Sequence, residues 1–418
     1  MKKIVLGCFF LFLLSDCQGQ KPLSDQEKDS LRVVFQNRLE NYLQKEGALN
    51  QFLEIHSEGI RLYFLEENQK KINWELSWES ALVFRQLLIQ NPEKAYLYYQ
   101  ERKTSEIPST DLDLFTSDDK SQTKPDQKLS GLRIALDPGH LAGSLSEAIQ
   151  EGKYIRITLP SKQKISFFES ELAWYTSRIL ADTLEKLGAE VLLTRDEYHL
   201  TALDSSYTDW FENYRQNHPN STIDKWQFFH KEFKKIDFNK RIEKINRFKP
   251  DLTLIIHYNV DATNTGWQKT THRNNSMAFV GGSFMSGEFE QAQNQFHLLR
   301  LLLSEDIPRS VLFSQKILQA LENELHIKPI PEKNEQFFLN QYCLYTGEPG
   351  IYHRNLTLTR QVYGTLCYAE PLYQDNASEC LRLYQRDEEY QGYKISGRVK
   401  EVAFSYLKGI LDYVQGLK

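Results

Sequence analysis

Cysteine is scarce in this chain, with five in 418 residues. Cys8 and Cys17 sit near the N-terminus. Cys343, Cys367 and Cys380 form an odd set without CxxC spacing, which excludes a cysteine-built zinc knuckle. One disulfide among these three stays open, with no pairing legible. A basic excess is also missing. The formal net charge is −5 and no long Lys/Arg run occurs, which argues against a nucleic-acid partner. After the N-terminal stretch no apolar run is long enough for a transmembrane helix. What is present suits a folded protein: 40% hydrophobic and 26% charged residues supply sizeable cores and exclude global disorder. The length is too great for one average domain and fits two or three.

The first residues, MKKIVLGCFFLFLLSDCQGQ, read as an export signal spanning residues 1–17. Lys2 and Lys3 form its positive start, and Ile4 to Leu14 an apolar segment too short to span a bilayer. Leu14-Ser15-Asp16-Cys17 resembles a bacterial lipoprotein cleavage box, with Cys17 as the lipidated residue. Asp16 departs from the usual small residue, and simple secretion is the alternative. Either outcome places the mature chain in the cell envelope, in the periplasm or held at a membrane by a lipid anchor at Cys17.

Residues 21–110 predict a small α+β domain. DQEKDSLRVVFQNRLENYLQKE carries apolar residues at helical spacing, GIRLYFLEEN and KINWELSW read as a two-stranded hairpin, and SALVFRQLLIQNPEKAYLYYQ returns to helix. No catalytic constellation stands out there, and His56 reads as structural. Residues 111–130 are polar throughout, which is linker composition. From residue 131 to 418 strands and helices alternate. LRIALD, AEVLLTR, DLTLIIHYN, SMAFVGG and GTLCYAEP read as strands, and ESELAWYTSRILADTLEKLG, FNKRIEKINRFKP, SVLFSQKILQALENEL and SGRVKEVAFSYLKGILDYV as helices. The expected fold class is therefore α/β, a mostly parallel open sheet flanked by helices.

Three residues at strand ends carry the chemistry. His140 follows the first strand, His257 ends the third, and Glu370 ends the fifth. The ends of parallel strands share one sheet edge, where ligand sites form. Glu169 opens a helix that starts from that edge. Imidazole and carboxylate suit zinc, and two His with one Glu leave a fourth position open, as catalytic sites require.

With these residues in place, 132–414 resembles the zinc-dependent N-acetylmuramoyl-L-alanine amidases of bacterial cell-wall turnover. IALDPGH resembles the first ligand motif of that family. ESELAWYTSRILADTLEKLGAEVLLTRD resembles its Glu-led helix and following strand, NKRIEKINRFKPDLTLIIHYN its second His strand, and GTLCYAEPLYQDNASE the strand that delivers the catalytic Glu. The resemblance implies one Zn²⁺ in the catalytic domain, held by His140, Glu169 and His257, with Glu370 as acid–base. It implies peptidoglycan or a muropeptide as substrate. Glu171 competes with Glu169, which fits the family distance to Gly188. Arg195 and Arg241 fall on structural positions, and Asn259 on one that orients the site. A different peptidoglycan metallopeptidase and a non-catalytic peptidoglycan-binding module are the alternatives.

The departures are Leu141 where the family has Gly, Ile255 where it has Ser, and CYAEP around Glu370. Two stretches read as inserted, 199–235 and 282–308. His353 and Arg354, in GIYHRN, read either as substrate contacts or as a solvated loop. Gly281 to Ser310 reads either as an ordinary helix packed on the sheet or as a helix that covers the metal until an activating protein partner removes it. In the covering reading, Glu288 or Glu290 reaches the zinc.

Overall fold

In the computed structural model, which describes residues 22–417 apart from 68, 104–106, 109–127, 160–161, 265–268 and 290, the chain folds as two units. The export signal, Cys8, Cys17, the side chain of Glu290 and most of the 111–130 linker lie outside the described residues. Among the described residues no helix is long and apolar enough to cross a membrane.

The first unit draws on the described residues of Met1–Leu39, Gly47–Asp118 and Ser286–Ser304. Its opening helix, Asp25–Arg38, starts at Ser24, whose hydroxyl forms a capping box with Glu27. Three antiparallel strands follow: β1 (Leu53–His56), β2 (Gly59–Glu66) and β3 (Gln69–Ser77). The expected two-stranded hairpin thus gains a partner, β1, too short and mixed in character to stand out in the sequence. Trp78–Gln90 and Pro92–Gln100 are helices capped by Ser77 and Asn91. Phe35 stacks on Trp78 at 5.6 Å, and Trp74 meets Phe84 and Tyr99 edge-on.

The Ala292–Leu303 helix belongs to this same unit. Phe296 packs against Tyr96 and Tyr99, and Gln295 accepts from Asn73 and from the Tyr99 hydroxyl. The apolar stripe of this helix thus packs into the core of the first unit, whereas the packed reading of Gly281–Ser310 put it on the main sheet.

The second unit is built on a seven-stranded sheet. In chain order its strands are β4 (Arg133–Pro138), β5 (Tyr154–Thr158), β6 (Lys164–Phe168), β7 (Glu190–Leu193), β8 (Leu252–Ile256), β9 (Met277–Val280), β10 (Cys343–Tyr345), β11 (Ile351–Arg354), β12 (Thr365–Glu370), β13 (Glu388–Tyr390) and β14 (Tyr393–Ile395). The main sheet has the order β10-β11-β9-β12-β8-β4-β7, while β5/β6 and β13/β14 are separate hairpins. β7, β4, β8 and β12 run parallel.

The sheet is mostly parallel, as expected, with two antiparallel pairings as corrections: β9 with β12, and β10 with β11. No helix lies between β8 and β9 among the described residues, and a strand that returns without a crossover helix comes back antiparallel.

Side chains of the central strands alternate between two cores. Ile134, Leu136, Leu254, Ile256, Cys367 and Ala369 pack with Leu180, Phe313 and Tyr406 from the helices Glu169–Lys186, Asp306–Leu325 and Gly397–Gly416. Ala135, Ile255 and Leu366 face the opposite way, against Ile242 and Ile245 of Lys234–Phe248 and Leu358 of Thr357–Gln361. Cys343, Cys367 and Cys380 are free and buried, packed as small apolar side chains, so the open disulfide reading is set aside.

The connection from β4 to Glu169 is more than the expected loop. It holds a helix, Leu145–Glu151, capped by Ser144 and ended by Gly152 at φ 74°. The β5/β6 hairpin follows, whose Ile155, Ile157, Ile165 and Phe167 join the main core. The inserted stretch after Arg195 forms its own aromatic cluster of Tyr207, Phe228, Phe229 and Phe233. Leu141 is a member of that cluster, which gives a reason for Leu at this position.

Candidate metal and catalytic centre

β4, β8 and β12 end level with one another. Pro138 is in register with Ile256, and Ile256 with Ala369. His140, His257 and Glu370 therefore leave the sheet at one edge, and Glu169 begins its helix there. The turn after β4 is tightly determined. A Cβ on Gly139 would lie 2.5 Å from the His257 ring, so only glycine fits. His140 adopts φ 62°, a left-handed conformation uncommon outside glycine.

Arg241, wholly buried, holds this turn. Its guanidinium donates to the Pro138 carbonyl at 2.8 Å and to the His140 carbonyl, and pairs with Asp237 at 2.6 Å and Asp137 at 3.2 Å. Burial works against its charge, but Asp237 and Asp137 more than offset this and raise its pKa. Arg195 is also buried and faces the carbonyls of Tyr198, Leu200 and Ser170. Burial, then the charge of Arg241, lowers it to about 9. Both arginines act on the backbone.

Glu169 sits between the two imidazoles. Its Oε1 lies 3.0 Å from His257 Nδ1 and 3.1 Å from His140 Nε2. The Tyr258 amide donates to the same oxygen at 3.0 Å, and Gln374 Nε2 donates to Oε2 at 3.3 Å. Glu171 points elsewhere and pairs with Arg386 at 2.7 Å. The His257 ring lies parallel to Tyr368, with centroids 4.4 Å apart, and nearly perpendicular to His140.

Burial lowers His257 to about 4, so it is neutral with a free lone pair at neutral pH. Burial also disfavours charge on His140, but Glu169 and Glu151 together raise its pKa. Burial likewise opposes the Glu169 carboxylate, yet His140 and Lys153 hold it well below the usual range.

One ligand atom from each of His140, Glu169 and His257 lies within 4.8 Å of the others, so the group could hold a metal ion. Donors about 2.0–2.2 Å from a tetrahedral ion stand roughly 3.3 Å apart. The separations of 3.0 and 3.1 Å from Glu169 are close to that spacing. His140 Nε2 is buried without a hydrogen bond, a donor atom aimed into the cluster and left for an ion. The residues present fit the group.

Glu370 stands next to this set, since the His257 amide donates to the Ala369 carbonyl at 3.0 Å. Its Oε2 is buried without a hydrogen-bond partner. Burial, then the Glu169 charge, raises its pKa. Two carboxylates face one site with their pKa values pushed in opposite directions, a recurring acid/base arrangement.

Sequence reasoning missed several residues of this neighbourhood. Glu151 pairs with His140 and Gln374 with Glu169. Lys153 lies 3.9 Å from Glu169, and Tyr368 supports His257. Tyr368 was discoverable, as it stands two residues before Glu370. Asn259 does not reach the cluster: its Oδ1 accepts from Val260 N at 2.8 Å and its Nδ2 approaches Met277 Sδ. His353 and Arg354 are neither loop nor jointly exposed. They end β11, and His353 is wholly buried with Nδ1 3.0 Å from the Gly281 carbonyl. Burial of His353 sets aside the substrate-contact reading for it.

No family model matches the sequence, and no curated protein matches it. Among solved structures the chain is similar to the CwlD amidase from Clostridioides difficile in complex with the GerS lipoprotein, at 15% identity and a TM-score of 0.38, covering 68% of this chain and 98% of that one. It is similar to the N-acetylmuramoyl-L-alanine amidase AmiC2 of Nostoc punctiforme, at 12% identity and a TM-score of 0.36, over 69% of this chain and 99% of that one. It is also similar to the N-acetylmuramyl-L-alanine amidase Ami1 from Mycobacterium smegmatis, at 12% identity and a TM-score of 0.39, with coverage of 69% and 99%.

Proposed function

We propose that the chain is a zinc-dependent N-acetylmuramoyl-L-alanine amidase of the bacterial cell envelope. It would cleave the amide between the lactyl group of N-acetylmuramic acid and the L-alanine of the stem peptide. The observation that carries this reading is the meeting of His140, Glu169 and His257 beside Glu370 at one sheet edge. The family motifs in the sequence supply the substrate class. The leader, with or without a lipid on Cys17, supplies export to the compartment where that substrate lies.

His140, Glu169 and His257 would hold the ion, and three protein ligands leave a coordination position open. When bound, Zn²⁺ polarises the carbonyl and lowers the pKa of water. The remaining work falls to the chain. Gly139 and Tyr368 fix the plane of His257, and the Tyr258 amide and Gln374 fix Glu169. Glu370, with one oxygen free of hydrogen bonds, takes the proton of the attacking water and passes it to the departing amine of L-alanine.

The test is mass spectrometry of purified peptidoglycan digested by zinc-loaded protein, wild type against Glu370→Ala. The expected wild-type products are glycan with free lactyl groups and stem peptides with a free L-alanine N-terminus. Cuts within the stem peptide would make the protein a peptidase. Binding without any cut by the zinc-loaded wild type would make it a binding module.

A further inference from the structure

Arg354 is a cation without an anionic partner among the described residues. It ends β11, and its backbone carbonyl is held by the Thr359 hydroxyl and the Leu356 amide. Its guanidinium lies 4.9 Å from the centroid of Phe279 and 5.0 Å from that of Phe338. Two ring faces fix the group without using its N–H donors, because cation–π attraction acts through the face of the guanidinium. The side chain is half-buried, so the fork is partly desolvated yet open on one side.

This arginine is connected to the candidate centre. Phe279 packs edge-on against Tyr368, and Tyr368 stacks on His257. The charge of Arg354 is also felt at Glu370 and Tyr368. A rigid, partly desolvated guanidinium with free donors matches the planar geometry of a carboxylate, which accepts two parallel N–H bonds.

We infer that Arg354 binds a substrate carboxylate, and that this carboxylate belongs to the acidic residue following L-alanine in the stem peptide. The inference rests on the amidase reading. The choice of residue follows from reach: the ring contacts from Arg354 through Phe279 and Tyr368 to His257 set the guanidinium beside the candidate centre, and the residue after L-alanine carries the first free carboxylate beyond the scissile bond. Arg354 would thereby select stems whose second residue is an acid over those in which it is an amide.

The experiment uses two soluble muramyl pentapeptides that differ only in a carboxylate or a carboxamide at the second residue. Zinc-loaded wild type, Arg354→Gln and Arg354→Lys are compared by steady-state kinetics, with bound zinc measured in each. A charge-assisted bidentate pair lost from a partly desolvated site corresponds to about 10–100-fold in binding. The expected result is a wild-type KM lower by about that factor for the acid form. Arg354→Gln should raise KM for the acid form to that of the amide, keep its zinc, and change kcat, if at all, by the same factor for both substrates. Arg354→Lys should recover part of the preference, since it keeps the charge and loses the fork.

Equal KM values for the two substrates in the wild type would overturn the inference, as would a preference that survives in Arg354→Gln. Loss of zinc or of cooperative unfolding in Arg354→Gln would also overturn it, by making the residue a packing element. Hydrolysis of neither substrate by the zinc-loaded wild type would bring down the amidase reading and this inference with it.

Discussion

Glu151 Oε1 lies 2.8 Å from His140 Nδ1, while its Oε2 accepts from the Leu141 and Ala142 amides at 3.3 and 3.2 Å. One carboxylate thus orients the imidazole and the backbone behind it. Burial opposes its charge, but His140 more than offsets this and lowers Glu151 to about 2, so it stays ionised at any working pH. A carboxylate behind a ligating His sets the tautomer and raises ligand basicity. Glu151→Gln should therefore weaken zinc binding by about 10–100-fold, measured by competition with a chelator. An unchanged dissociation constant would show that Glu151 only supports the loop.

The proposed division between ligand and proton carrier makes a separate prediction. Glu370→Gln should keep stoichiometric zinc and lose about 10²–10⁴ in rate. His140→Ala and His257→Ala should each lose zinc while the domain stays folded, because the sheet cores are apolar and do not depend on the ion. Glu169→Ala should lose zinc and Glu171→Ala, whose carboxylate pairs with Arg386, should retain it. Metal analysis beside circular dichroism reads all five variants. Zinc loss in Glu370→Gln would move that residue from the proton path to the ligand set.

The main strands were legible because burial on both sheet faces leaves a composition signal. Leu252–Ile256 holds no charged residue, and all five side chains are buried. Strand ends then place His140, His257 and Glu370 together by topology alone. Glu151 was not legible, because it ends a short polar helix, and its contact with His140 depends on how that helix folds back. The reversal of β9 was hidden because a buried strand looks the same in either direction. The Ala292–Leu303 helix shows the limit of periodicity: its spacing marks an apolar face but does not say which core receives it.

Leu141 ties the aromatic insertion to the residue next to His140. It is 3% exposed and packs with Tyr207, Phe228, Phe229 and Phe233. Thr208 and His230 hold the same insertion to the Leu145–Glu151 helix, through the Glu147 carboxylate and the Gln150 carbonyl. Leu141→Ala should cost about 2–5 kcal/mol from lost burial and cavity formation. It should also weaken zinc binding, because collapse into the cavity shifts the backbone whose amide bonds Glu151. Thermal unfolding and zinc titration of the variant check both effects. Wild-type values in both would show that the cluster closes without this side chain.

His353 predicts how stability responds to acid. It is wholly buried, its Nδ1 donates to the Gly281 carbonyl, and its Nε2 has no hydrogen-bond partner among the described residues. Burial lowers its pKa from 6.5 to about 4. As pH falls through 6.5 the unfolded chain takes up a proton that the folded chain refuses until about 4. The stability linked to this residue is therefore fully present above the unfolded pKa and is lost as pH falls from there. A shift of this size corresponds to roughly 2–3 kcal/mol lost between pH 7 and 4.5. His353→Phe should be less stable than wild type at pH 7, because the Gly281 carbonyl loses its partner. It should then lose less on acidification, by about that amount, in urea melts at the two pH values. Other titrating groups are common to both proteins and cancel in the difference. Parallel losses in the two proteins would mean that His353 takes up its proton equally in the folded and unfolded chains.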